Sequence, residues 1–316
     1  MFFYYDNITS VTNSKDQSVD QDNEFILSTG SNLTLNESRI INFLLSCVRI
    51  DDRTFRTIEI SYDAMCRILN YNPKSGGRIE YIAKIVECLK DKQIFCRDRA
   101  SANNEIVTVP WFDICECKDN HSVEGKRTDA GKIVYTFRFN SELELYLLDL
   151  KSKFTKCNYS TVQGFTNKYT AKLYMILSSV TYSDCISFSF EDICFLLGFS
   201  DLDNIEKKPK FANFKRDVLE NALEEINMNT GFTVEYSLDR TARTIKSVIF
   251  NVFEKGQGAK IAPFSPLPDV AFCERKTEDG FIEKYCKVEV EGSFRNRKPR
   301  SQDAEVVAFQ NLVNLR

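Results

Sequence analysis

The sequence predicts an α+β fold of two winged-helix domains in tandem, related to each other by internal duplication. Three observations predict it. An amphipathic helix runs into a hairpin-like alternation between Lys207 and Phe253. A segment early in the chain matches a later one at constant spacing. Both halves also share one order of elements: a helix, a serine-capped helix, a longer amphipathic helix, then β structure.

In the second half, Phe211, Phe214, Val218, Ala222 and Ile226 recur at three- and four-residue spacing, which gathers them on one buried helix face. Asn213, Arg216, Asp217, Glu220 and Glu224 project the other way, so the polar face opens with Asn and Arg and turns acidic further along. Lys207, Lys208, Lys210, Lys215 and Arg216 fall in ten residues without an acid. Only the N-terminal half of this helix therefore suits a phosphate-lined groove. The Cα direction of Lys215 points toward the apolar arc, so an extended stem is expected to carry its ammonium out. Gly231 is expected to close the helix in the left-handed conformation. Phe232, Val234 and Tyr236 then alternate as a strand does, a turn falls near Asp239 to Ala242, and Thr244 to Phe253 returns. Arg240, Arg243 and Lys246 surround the tip, giving a basic wing within reach of flanking phosphates.

The duplication rests on ISYDAMCRILNY, residues 60–71, which aligns without gaps with FSFEDICFLLGF, residues 188–199, at an offset of 128. Upstream, FLLSCV at 43–48 matches MILSSV at 175–180. Each unit opens with a helix, near 36–49 and 167–180, and Ser61 and Ser189 cap the next one. Asp63, Glu191 and Asp192 sit in first turns, where the helix dipole favours negative charge. The third helix of the first unit, Arg78 to Lys90, buries Ile79, Ile82, Ile85, Val86 and Leu89 behind a nearly neutral outer face. That unit is expected to read fewer bases. Lys74, Ser75 and Arg78 at the helix entry, with Lys84 on its outer face, are its candidate DNA contacts.

Strands near Gln93 to Arg97, Glu105 to Phe112 and Lys132 to Phe139 are expected to complete the first sheet, with Lys118 to Gly131 as an exposed loop and Trp111 as a packing residue. Ser141 to Leu150 reads as a helix before an interdomain junction near 155–166. The organisation expected is a flexible acidic segment (1–24), a first winged-helix domain (25–157), a second (158–255), and a partly disordered tail (256–316) that contains the basic run RNRKPR.

Charge does not oppose a role on nucleic acid. The net charge is −3, but Asp6, Asp16, Asp20, Asp22 and Glu24 face only Lys15 in the first 36 residues, so the remainder is slightly positive. No run of eighteen apolar residues and no signal-peptide pattern occurs, which points to the cytoplasm and away from membranes. Eleven scattered cysteines suit reduced, packed thiols. Cys115 and Cys117 lack a second pair and His121 is the only histidine, so no zinc site is expected, nor the paired-histidine metal site of rolling-circle nicking enzymes. There is no G-x-x-x-x-G-K-[ST] loop, and Glu224 and Glu225 read as helix surface rather than metal ligands. Neither catalytic residues nor a cofactor is expected.

FANFKRDVLENALEEINMNTGFTVEY, and less specifically SELELYLLDLKSKFTKCNYSTVQGFTNKYTAKLYMIL, are similar to the initiator replication proteins of iteron-containing bacterial plasmids. The resemblance covers about residues 25–255. It carries its own pattern: a Phe-Lys-Arg, an Ala before Glu-Ile-Asn, and a "YtakLY" entry to the second domain. It implies binding of double-stranded DNA at short direct repeats in a plasmid origin, opening of adjacent A·T-rich DNA, and recruitment of host helicase, polymerase and initiator proteins. It also implies monomer and homodimer forms, with the dimer repressing its own gene at an inverted repeat through the first domain's interface. Carried onto this chain, the helix from Phe211 is the recognition helix, and Asn213, Lys215 and Arg216 lead the DNA contacts. Arg commonly pairs with guanine and Asn with adenine. Two alternatives stay open: a winged-helix repressor that does not open an origin, and a replication enzyme such as a primase or polymerase.

Overall fold

The computed structural model describes residues 7–12, 17–49, 52–73, 78–97, 106–119, 133–150, 153–180, 185–199, 209–241, 244–255, 268–276 and 281–289. From the N-terminus run β1 (Asn7–Thr12), β2 (Ser18–Asp22), α1 (Asn23–Ser28), the two-residue β3 (Thr29–Gly30) and α2 (Leu35–Ser46). The first unit continues with β4 (Thr57–Ser61), α3 (Tyr62–Ile68), α4 (Arg78–Lys90), β5 (Gln93–Arg97), β6 (Ile106–Pro110), β7 (Phe112–Asp119) and β8 (Ile133–Phe139). A 3-10 turn (Ser141–Leu143), α5 (Glu144–Leu147), β9 (Phe154–Asn158) and α6 (Tyr159–Gly164) lead onward. The second unit comprises α7 (Thr170–Ser179), β10 (Cys185–Ser189), α8 (Phe190–Leu196) and a long helix built of α9 (Phe211–Phe214), a π-helical segment (Lys215–Leu219) and α10 (Glu220–Asn229). It closes with β11 (Phe232–Thr241) and β12 (Thr244–Glu254), after which β13 (Asp269–Lys276) and β14 (Ile282–Glu289) follow.

The sequence repeat is a structural one. β4–α3 and β10–α8 begin and end at the same offset of 128. Ser61 Oγ accepts from the Ala64 amide at 3.4 Å and Ser189 Oγ from the Asp192 amide at 3.0 Å, as their capping positions predict. The exits match too. Asn70 (φ 59°) and Gly198 (φ 75°) take the left-handed conformation, and the amides of Tyr71 and Phe199 turn back to the carbonyls of Cys66 (2.7 Å) and Cys194 (3.1 Å). At Gly198 the backbone demands glycine twice over, because a Cβ would also stand 2.1 Å from the Ser31 carbonyl oxygen. The strand order β4-β8-β7 in one unit repeats as β10-β12-β11 in the other.

Several expectations are corrected. The first sheet is not completed by 93–97 and 105–112: β5 and β6 form a separate sheet with β3, and β8 pairs with β7. β7 takes in Lys118 and Asp119, which were expected in a loop; the rest of that loop, with His121, lies outside the described residues. Trp111 marks the break between the two sheets and packs as expected. It is buried, its amide bonds to Lys92 O, its indole N–H donates to Ser31 Oγ at 3.1 Å, and its ring meets Phe25 edge-on at 6.5 Å. The helix expected over 141–150 shrinks to a 3-10 turn and one α turn. Here four Leu residues demand burial, and a chain reversal with Asp149 at φ 50° satisfies them better than a straight helix could.

The two termini differ most from expectation. Within 1–24, expected to be flexible, β1 pairs with β13 and β2 pairs with β9, which also makes the 155–166 junction a strand and helix rather than a linker. Within the 256–316 tail, β13 and β14 form a hairpin whose second strand lies parallel to β4, giving a six-stranded sheet in the order β1-β13-β14-β4-β8-β7. Val270, Phe272, Cys286 and Val288 bury there beneath Arg49 and Arg56, whose guanidinium carbons sit 5.0 and 5.3 Å from the Phe272 ring centroid. RNRKPR lies outside the described residues.

The units meet across α1–β3 and α7–α8. Gly30 is required there because a Cβ would stand 2.1 Å from the Phe195 carbonyl oxygen. Arg97 pairs with Asp192 and lies 4.4 Å over Phe195. Lys172 on α7 donates to Ile26 O at 3.0 Å and reaches Thr29 Oγ1 at 3.5 Å, so it closes the end of α1. Burial lowers its ammonium from the ordinary 10.5 to about 7. Between those two values the unfolded chain binds the proton more tightly than the folded one, so this residue makes stability rise with pH from about 7 toward 10.5. Lys172→Met is expected to flatten that rise, read as thermal midpoint against pH; an unchanged profile would refute the assignment.

Candidate nucleic-acid interface

The long helix is held by the face the sequence predicts, with additions. Phe214, Val218, Ala222 and Ile226 are buried, Phe211 is half-buried, and Leu219 and Leu223 join them. The π-helical segment explains Leu219. Its i→i+5 turn rotates less per residue, so Val218 and Leu219 straddle the direction of Phe214 instead of one of them swinging outward. Lys215 is exposed, as the stem expected to carry its ammonium out requires.

Lys210 is the N-cap residue and is exposed, with its carbonyl accepting from the amides of Asn213 (3.0 Å) and Phe214 (3.1 Å). Asn213, Lys215 and Arg216 are all exposed on the first turns. Lys215 Nζ lies 3.4 Å from Glu220, which also accepts from the Tyr236 hydroxyl at 3.5 Å; Tyr236 and then Glu220 raise the lysine above its ordinary value. Arg216 Nε and Nη2 donate to Asp217 at 2.6 and 2.8 Å, and these bonds hold the Asp217 carboxyl below its usual range. The β11–β12 wing carries exposed Arg240 and Lys246 beside a register shift between Asp239 and Arg240. Lys208 and Arg243 lie outside the described residues.

Three anchors hold this helix in place, none of them assigned such a role from the sequence. Glu225, expected as mere surface, accepts from the amides of Thr166 (2.8 Å) and Asn167 (3.2 Å) and from the hydroxyls of Thr170 (2.6 Å) and Thr166. It caps the entry to α7. Asn227 clamps the first wing strand, accepting from the Val234 amide at 2.6 Å and donating to its carbonyl at 3.0 Å. Lys255 closes the other end by donating to Thr230 O at 3.2 Å and to Asn227 O. The helix therefore ends at Thr230 in extended backbone, with its hydroxyl on Ile226 O at 2.8 Å, and Gly231 does not adopt the expected positive φ. Glu-Ile-Asn thus gains a physical meaning: one cap, one core residue, one strand clamp. Its spacing was the signal; the partners of Glu225 lie 55 to 59 residues away, while Asn227 reaches Val234 across the turn into the wing.

In the first unit, the Arg78 guanidinium lies 4.5 Å over the Tyr71 ring, and Lys84 is exposed on the outer face of α4. Lys74 and Ser75 lie outside the described residues. Among the described residues no cluster of three His, Cys, Asp or Glu could hold a metal, and no helix is long and apolar enough to cross a membrane.

Residues 18–178 match the family described as "Initiator Replication protein, WH1", and residues 189–252 match "Initiator Rep protein, WH2". The chain belongs to the initiator replication protein family. The initiator has two winged-helix domains, as its duplicated sequence predicts. A solved structure described as the Pi initiator protein in complex with iteron DNA shares its fold, with a TM-score of 0.55 and 18% identity, covering 77% of this chain and 99% of that one. No curated protein matches the sequence. In this initiator β13 and β14 lie beyond both matched regions, yet they extend the sheet of the first domain.

Proposed function

We propose that this protein initiates plasmid replication by binding directly repeated origin sites, the iterons. The observation that carries this reading is the exposed Asn213, Lys215 and Arg216 on the first turns of a helix that Glu225 and Asn227 tie to α7 and to the wing. A reader so anchored presents its polar edge to the major groove without reordering. Membership of the initiator family supports it, as does the likeness to an initiator solved with iteron DNA. Lys208 and Lys210 approach the same groove, while Arg240, Arg243 and Lys246 reach flanking phosphates. In the first domain Lys74, Ser75, Arg78 and Lys84 add backbone contacts, and that domain supplies the interface of a homodimer that represses its own gene at an inverted repeat. Bound at the origin in the cytoplasm, the monomer opens adjacent A·T-rich DNA and recruits the host helicase and initiator proteins; the protein performs no catalysis of its own.

The test is binding of purified protein to a duplex bearing the direct repeats beside its gene, against a shuffled duplex, across a salt series, followed by a strand-opening assay. Selective binding with opening supports the initiator. Selective binding without opening leaves a repressor, and equal weak binding to both duplexes refutes the reading. Arg240→Ala is expected to weaken both duplexes alike and to reduce the salt slope by about one unit, as loss of one phosphate contact does. An unchanged slope removes Arg240 from the contacts.

A further inference from the structure

The acid nearest the leading arginine is placed to aim it. Adjacent residues of an α-helix do not usually face each other, yet Arg216 and Asp217 make two hydrogen bonds, at 2.6 and 2.8 Å. They lie within the π-helical segment, whose slower rotation brings successive side chains closer in direction. The pair is exposed, at 70% and 55%, so it adds little to folding. Its geometry matters more. A guanidinium has five N–H donors, and Asp217 uses the Nε side and one donor of Nη2. What remains is the terminal fork of Nη1 and Nη2, the edge that pairs with two acceptors of a guanine in the major groove.

We propose that Asp217 is a specificity-determining residue: it holds the Arg216 fork toward a guanine edge and sets a negative charge where phosphate would otherwise draw the arginine aside. This rests on the reading of the helix as the DNA reader. Holding the fork in advance removes rotamer freedom that binding would otherwise have to remove. The carboxylate opposes close phosphates on every sequence, and only a site that engages the fork recovers the loss. Asp217 contacts Arg216, not the base, so it is a positioning residue.

The experiment compares wild type, Asp217→Asn, Arg216→Ala, the double variant and Glu224→Gln. Each is titrated on the repeat duplex, on a shuffled duplex, and on repeat duplexes with each base pair changed in turn. Glu224 is exposed on the same helix and its substitution removes the same unit of charge. Asp217→Asn is expected to lose about three- to tenfold affinity on the repeats, with no loss on shuffled DNA. It should relax preference at the same base pair as Arg216→Ala, and change no base preference in the Arg216→Ala background. Glu224→Gln should lose nothing on the repeats. The proposal is overturned if Asp217→Asn strengthens both duplexes equally, as Glu224→Gln would through charge alone, or if its effect on base preference persists without Arg216. If Arg216→Ala leaves discrimination intact, the DNA-reading role itself fails; if Arg216→Ala relaxes it and Asp217→Asn does not, only the aiming role fails.

Discussion

Replacing Phe214 with Ala is expected to destabilise the protein by about 3–5 kcal/mol, the loss typical of a large buried aromatic cut to a methyl group. Phe214 is 1% exposed, and its ring lies 5.2 Å from that of Phe190, 5.9 Å from Phe199 and 6.2 Å from Phe211. Those four rings come from α8, the turn after it and α9, so they glue the start of the long helix to its neighbour. The substitution removes transfer energy and leaves a cavity that three rigid rings cannot fill by rotating. Denaturant titration should show a lower midpoint with an unchanged slope, and repeat binding should fall in step because the polar edge sits on the loosened turns. Phe214→Leu should cost less than half as much. A loss under about 1 kcal/mol for the alanine variant would mean the cluster collapses around the gap, and the packing account would be wrong.

Arg216→Ala is expected to lower affinity for the repeats on the order of ten- to a hundredfold while leaving the thermal midpoint where it was. The contrast with Phe214 is physical. The arginine is exposed and its ion pair is open to water, so folding gains little from it; a bidentate pair in a groove is shielded and aligned, so binding gains much. Arg216→Lys should not restore discrimination, because a single ammonium cannot span two acceptors as the planar fork does. Equal loss on the repeats and on shuffled DNA would make Arg216 a phosphate contact only.

Local signals were legible wherever one element decides the outcome. Ser61 and Ser189 cap the helices they precede, Phe214, Val218, Ala222 and Ile226 bury as their spacing requires, and the offset of 128 carries through to paired left-handed exits at Asn70 and Gly198. Glu225 looked like surface because its partners lie 55 to 59 residues away, and Gly231 looked like a cap because glycine usually is one, whereas Thr230 and Lys255 close that helix from its other side. Periodicity assumes one helical rise, so it could not show the π turn that buries Leu219.

The sequence by itself determined that this chain is two winged helices with a cationic start to its second long helix, because capping, amphipathic spacing and charge order are properties of neighbouring residues. Only the tertiary structure decided that the β13–β14 hairpin returns to the first domain and β1 to its edge, and that Gly30 and Lys172 join the two units. Those depend on which distant backbone edges and side chains meet, and strand pairing and burial across the fold settle that, not local preference.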